Sequence, residues 1–126
     1  DKGCNSDTIS SPIVINPLPT PNYSIVSTSC ELRAVVFSNT SIANAGTISN
    51  WWWDYGDGVT ENKSKPDTFN HIYSLWGNYT VLLQVTSTKG CKSDTLKRIQ
   101  KINPLPQVGF VIPEICLADG AADFID

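Results

Sequence analysis

Trp51-Trp52-Trp53-Asp54-Tyr55-Gly56-Asp57-Gly58 is the stretch that decides how this chain folds. Successive side chains on a strand point to opposite faces. Three consecutive tryptophans therefore cannot share a face: Trp51 and Trp53 are expected inside and Trp52 outside. The run stops at Asp57-Gly58, the dipeptide that most strongly favours a tight hairpin. The stretch reads as a core strand that delivers two large aromatics to the interior and then turns back.

Outward from it, the same alternation recurs. Tyr79, Val81, Leu83 and Val85 alternate with Thr80, Leu82, Gln84 and Thr86, and Val35 shares a face with Phe37. Trp51, Trp53, Val35, Phe37, Tyr79, Val81, Leu83 and Val85 form the expected core, with Trp53 at its centre. Strands are expected near Tyr23–Val26, Leu32–Asn39, Ile48–Asp54, Thr60–Lys65, Thr68–Tyr73, Tyr79–Thr86 and Ser93–Ile102. About seven short strands separated by turn signals suit an all-β sandwich.

Composition agrees with this class and excludes several functions. The 126 residues contain no methionine and carry a net charge of −3. An acidic chain lacks the basic stripe that nucleic acid requires. No apolar run approaches the roughly 20 residues that span a bilayer, so no membrane insertion of this segment is expected. Four cysteines with one histidine do not make a zinc site of ordinary spacing. Disulfides in an oxidising, extracellular or cell-surface setting are the better reading.

Trp53-Asp54-Tyr55-Gly56-Asp57-Gly58, followed by His71-Ile72-Tyr73 and Gly77-Asn78-Tyr79-Thr80-Val81, resembles the polycystic-kidney-disease (PKD) repeat over about residues 21–103. The resemblance implies an immunoglobulin-like sandwich from a large extracellular protein. Trp76 departs from the pattern, which often has proline before the glycine.

The chain also repeats itself. Lys2-Gly3-Cys4-Asn5-Ser6-Asp7-Thr8-Ile9 returns as Lys89-Gly90-Cys91-Lys92-Ser93-Asp94-Thr95-Leu96. Asn16-Pro17-Leu18-Pro19 returns as Asn103-Pro104-Leu105-Pro106; both pairs of blocks lie 87 residues apart. Cys30 and Cys116 match with a one-residue slip. A fixed period with linkers in register marks a tandem array. Residues 1–16 are then expected to be the C-terminal strand of a preceding repeat and 17–19 a linker. Residues 20–103 form the complete domain, 104–106 a second linker, and 107–126 the opening of a following repeat. Proline fixes φ, so these linkers are short and stiff.

Few residues offer chemistry. His71 has no second histidine and no nucleophile beside it in sequence, which leaves nucleophilic catalysis without support. No enzyme activity is expected, and His71 reads as structural. Asp54 and Asp57 are spaced as low-ranking calcium ligands, but the oxygen-rich runs of a dedicated loop are missing. Their plainer role is to cap turn amides, so no cofactor is expected. Trp52, on the outer face, and Trp76, in a turn, are candidates for a glycan- or protein-binding surface. The plainer alternative has Trp52 covered by neighbouring side chains and Trp76 packed on an adjoining repeat. Thr8 and Thr95, in Asp-Thr-aliphatic sequences, resemble acceptors of bacterial surface O-glycosylation, although a strand start would need the same residues.

By repeat register Cys4 and Cys91 follow the long strand, whereas Cys30 and Cys116 precede the second strand. In an immunoglobulin-like sandwich those two turns lie at opposite ends, about 20 Å apart. A disulfide needs its Cα atoms within about 7 Å. An inter-repeat bond, Cys30 to the Cys91 equivalent of the following repeat, is therefore favoured over a Cys30–Cys91 pair. The cysteine-bearing variant resembles repeats of very large bacterial surface proteins. That resemblance implies a non-enzymatic spacer, adhesin stalk or surface filament whose partners are neighbouring repeats or copies. The alternative is an accessory or glycan/protein-binding module of a large secreted hydrolase.

Overall fold

The computed structural model describes residues 3, 8–65 and 68–111. The tryptophan run forms β3 (Ile48–Asp54), in which Trp51 and Trp53 are buried and Trp52 is half-buried. Trp53 is fully enclosed and lies within 5.1–5.9 Å of the rings of Tyr23, Phe37, Tyr55 and Phe69. The inward alternation expected of a strand is thus obeyed to the residue.

The remaining elements are β1 (Tyr23–Ile25), β2 (Ala34–Asn39), β4 (Thr60–Lys63), β5 (Phe69–Ile72), β6 (Gly77–Ser87) and β7 (Leu96–Ile102). They form two antiparallel sheets, one of order β1-β2-β5 and one of order β4-β3-β6-β7. The architecture is an all-β, immunoglobulin-like sandwich. Trp51, Trp52 and Trp53 lie opposite Val85, Gln84 and Leu83 of β6. Each inward tryptophan therefore faces an aliphatic partner, and the outward one faces an amide. Val81, Leu83 and Val85 supply the other half of the inner layer, with Val35, Phe37 and Phe69 across from them. Arg98 of β7 ties the sheets together: its guanidinium donates to the Tyr23 carbonyl and stacks 5.0 Å from the Tyr23 ring centroid.

Two expectations about the core need amendment. Tyr79 is half-buried rather than a core residue. It points inward but sits at the rim where β6 begins, so its hydroxyl reaches out to donate to the Leu75 carbonyl at 2.9 Å. The core also takes in Tyr23 and Phe69, which pack on Trp53, and Tyr55, Tyr73 and Ile102 toward the end where β6 begins. Residues 8–16 hold no strand, and Ile9, Ile13, Val14 and Ile15 are 79–92% exposed. A strand forms only against a partner, and β6 already has β3 and β7 on its two edges.

The fold has a clear polarity. Thr20 pairs with Ile42, and Thr47 with Thr88, at the end where β6 finishes. Asn103 pairs with the Cys30 segment at the end where β6 starts, beside Gly77 and Ile102. The chain enters the sandwich at one end (the upstream end) and leaves at the other (the downstream end).

Candidate functional site

The Asp57-Gly58 turn lies at the downstream end and is held from beneath by β5. Asp54 Oδ1 accepts from the Gly56 N–H at 2.9 Å, and Asp57 Oδ1 from the Val59 N–H at 3.1 Å. Asp57 Oδ2 lies 2.6 Å from His71 Nε2. The imidazole stacks flat on Tyr55, with centroids 4.0 Å apart, and meets Tyr73 edge-on at 4.6 Å. The Tyr73 hydroxyl donates to the Tyr55 carbonyl, and that of Tyr55 to Glu61. Gly56 sits at φ 80°, where a Cβ would lie 2.5 Å from the Thr80 carbonyl oxygen. Only glycine fits there.

Burial drives the Tyr55 and Tyr73 pKa values far upward. The charges of Glu61 beside Tyr55 and Asp57 beside Tyr73 act in the same direction. Tyr23 is raised by burial and partly held back by Arg98. These phenols stay protonated, and those of Tyr55 and Tyr73 serve as hydrogen-bond donors. Both Asp54 and Asp57 are engaged with turn amides. Among the described residues no group of three or more His, Cys, Asp or Glu side chains could hold a metal ion. The sequence points to His71 and Asp57 separately; only the packing of the sheet that holds β5 against the sheet that holds β3 and β4 brings them together.

A second surface lies on the outer face of the four-stranded sheet. Trp52 is bordered by Asn50, Asn62, Gln84, Thr86 and Lys92 around a shallow hollow. Its cross-strand neighbours are Asn62 and Gln84. Asn50 donates to Asn62 at 3.2 Å, and Gln84 to the Ser93 carbonyl at 3.2 Å. A half-buried indole among amides is a surface that offers both stacking and directed hydrogen bonds. Thr95 and Thr8 are exposed.

The third feature is the pair of ends. Trp76 is 63% exposed at the downstream end, beside Pro104 and Lys101. Its backbone N–H donates to Glu31 Oε2 at 2.9 Å, and Glu31 Oε1 accepts from the Leu105 backbone N–H at 3.1 Å. At the upstream end Asn44 donates to the Leu18 carbonyl at 2.7 Å and to the Thr20 hydroxyl at 3.0 Å. Neither Glu31 nor Asn44 stands out in the sequence, because each looks like an ordinary loop residue. Cys30 and Cys91 are both unbonded. The eleven residues of β6 separate them, about 35 Å at strand rise, so no direct bond between them is feasible. Cys4 and Cys116 lie outside the described residues.

A sequence profile of the PKD domain family matches residues 16–100. The pre-pro-metalloprotease PrtV of Vibrio cholerae is 39% identical over 80 residues, which cover 61% of this chain and only 8% of that precursor. The PKD1 domain of the V. cholerae metalloprotease PrtV has a TM-score of 0.57 at 28% identity, covering 69% of this chain and 99% of that domain. The PKD1 domain of Vibrio anguillarum Epp has a TM-score of 0.62 at 25% identity, covering 72% and 100%. A structure from work on the promiscuous specificity of carbohydrate-binding modules of the β-sandwich superfamily gives a TM-score of 0.67 at 27% identity. It covers 79% of this chain and 40% of that one.

Proposed function

The chain belongs to the PKD domain family, and we propose that it acts as a non-catalytic structural unit of an extracellular, tandemly repeated protein. In that role it would set the distance between more specialised parts, as a spacer, adhesin stalk or surface filament. The observation that carries this reading is the polarity of the fold. The chain enters at Thr20 and leaves at Asn103, at opposite ends of an eleven-residue strand. Identical Asn-Pro-Leu-Pro segments continue from both ends. A sandwich of this kind extends its chain instead of folding it back. Residues 17–19 and 104–106 are then the linkers between a preceding repeat, the complete domain and a following one. No helix of the described residues is long and apolar enough to cross a membrane.

Small-angle scattering on the natural protein with one, two and three consecutive repeats tests the reading. The maximum dimension should grow by about 35–40 Å per added repeat, from strand rise plus linker. Dimensions that plateau would overturn it.

A second reading is favoured by the Trp52 face. A half-buried indole flanked by Asn50, Asn62 and Gln84 suits the apolar face and hydroxyl rim of a sugar ring. One structural neighbour, matched over 40% of its chain, comes from work on carbohydrate-binding modules. On this view the domain binds glycan, as an accessory to a secreted hydrolase such as the metalloprotease relative. Calorimetric titration with soluble polysaccharides decides: binding that vanishes in Trp52→Ala supports it, and an absence of binding in the natural sequence removes it.

A further inference from the structure

The two Asn-Pro-Leu-Pro segments are equivalent positions of one repeat, 87 residues apart, so each reveals one side of the same junction. The copy at 103–106 shows what the preceding domain does to its outgoing linker. The Asn103 N–H donates to the Ser29 carbonyl at 2.8 Å, and its own carbonyl accepts from the Glu31 N–H at 2.9 Å. These two bonds bracket Cys30, which is the bridge partner of Asn103. The Leu105 N–H is then held by Glu31 Oε1. The copy at 16–19 shows what the next domain does to its incoming linker. Cys91 Sγ lies 3.9 Å from the Asn16 carbonyl oxygen, and Asn44 donates to the Leu18 carbonyl.

The two sets of contacts are compatible. The preceding domain takes the leucine N–H and the following domain takes the leucine carbonyl. Proline has no N–H, so those of asparagine and leucine are the only two the linker owns, and both are used. Burial divides in the same way. Leu105 is half-buried while Leu18 is 54% exposed, and Pro19 is buried while Pro106 is exposed. The upstream neighbour shelters the leucine and the downstream neighbour shelters the second proline.

The same asparagine also meets two cysteines. As Asn103 it is paired with Cys30, and as Asn16 it touches Cys91. Bridge partners on adjacent strands sit about 5 Å apart, and a disulfide spans Cα separations up to about 7 Å. We propose that each sandwich docks end to end on its neighbour through one linker embedded in both domains. A disulfide would join Cys91 to the preceding repeat's counterpart of Cys30, and Cys30 to the following repeat's counterpart of Cys91. Each bond forms by loss of one proton from each thiol. The two electrons pass to an accepting disulfide of a thiol oxidoreductase, which becomes a dithiol. Trp76, beside Pro104 at the same end, is then covered by the loops of the arriving repeat.

This proposal rests on the tandem-array reading, and the test separates the two. The natural protein carrying consecutive repeats is denatured without reductant, its free thiols are alkylated, and its peptides are mapped by mass spectrometry. A crosslink from Cys91 to the preceding repeat's Cys30 counterpart is expected. A Cys30–Cys91 crosslink, or both residues alkylated, overturns the staple. Scattering is measured on the same material and on Cys91→Ser. A dimension that still rises linearly with repeat number while the thiols are free removes the staple and leaves the spacer reading standing. A dimension that fails to rise removes the spacer reading whatever the thiols do. NMR relaxation supplies the remaining readout. Reduction, or Cys91→Ser with Asn44→Ala, should lower each repeat's rotational correlation time toward that of a single free domain. An unchanged correlation time overturns the embedded junction.

Discussion

The two ends of this sandwich each grip a copy of the same four-residue sequence, residues 16–19 and 103–106, and do so by different means. The downstream end is a dense cluster in which Asp57, His71, Tyr55 and Tyr73 lock the β3–β4 turn, and Glu31 reaches from beside Cys30 to hold Leu105. Among the described residues the upstream end has no such cluster. There Thr20 pairs with Ile42, Thr47 with Thr88, and Asn44 caps the linker from outside. The difference teaches that one end is built to be a rigid platform, while the other is an adaptable socket of backbone bonds and short polar side chains.

The largest effect should erase that difference. Trp53 touches four aromatic rings and packs against both sheets. Trp53→Ala should cost about 3–5 kcal/mol, read as a lowered denaturation midpoint. If only one end lost hydrogen-exchange protection, the two ends would prove to be independent units.

Gly56→Ala strikes the platform alone. The new Cβ would meet the Thr80 backbone at a positive φ, for a loss of about 2–3 kcal/mol. Protection should fall around residues 54–60 and 71–80 before it falls near Thr47 and Thr88. A uniform loss would contradict a separate platform.

Alkali tests the same cluster through its phenols. Tyr55, Tyr73 and Tyr23 have pKa values raised above the ordinary value near 10 by burial. The unfolded chain then releases protons that the folded one retains, so stability is full below about pH 10 and falls above it. Each tyrosine contributes a slope of up to about 1.4 kcal/mol per pH unit. Tyr73→Phe, which removes one such group, should flatten the decline in urea titrations at pH 9–11; an unchanged slope would sink the assignment.

His71→Ala removes the ring that stacks on Tyr55 and the partner of Asp57. A loss of about 1–3 kcal/mol is expected, with the fold retained in the circular-dichroism spectrum. The smallest effect compares the ends directly. Glu31→Ala and Asn44→Ala should each cost about 1 kcal/mol or less, as exposed hydrogen bonds do. Amide exchange should quicken at Leu105 in the first, and Thr20 should loosen in the second. An effect of either at the opposite end would break the comparison.

Much of this was legible in the residues. Three tryptophans in succession and the alternation of Val81, Leu83 and Val85 set both the strands and their inward faces, because burial on one face fixes register. The Pro-Leu-Pro segments and the 87-residue period marked where the proposed junctions fall. Tyr79 was misplaced because alternation tells which face a residue takes, not how close to the rim it lies. Tyr55 and Tyr73 were missed as core since they sit in loops and at a strand end, where periodicity carries no signal.

By itself, then, the sequence determined the class of fold, its inward residues, the repeat and the family resemblance. All of these follow from local periodicity and from identity along the chain. Only the tertiary structure decided that His71 meets Asp57, that Glu31 and Asn44 hold the two Asn-Pro-Leu-Pro segments, and that Cys30 and Cys91 each lie against the same asparagine of the repeat. Those contacts join residues 14, 26, 74 and 75 positions apart. The order in which strands pair across two sheets brings them together, and no local pattern encodes it.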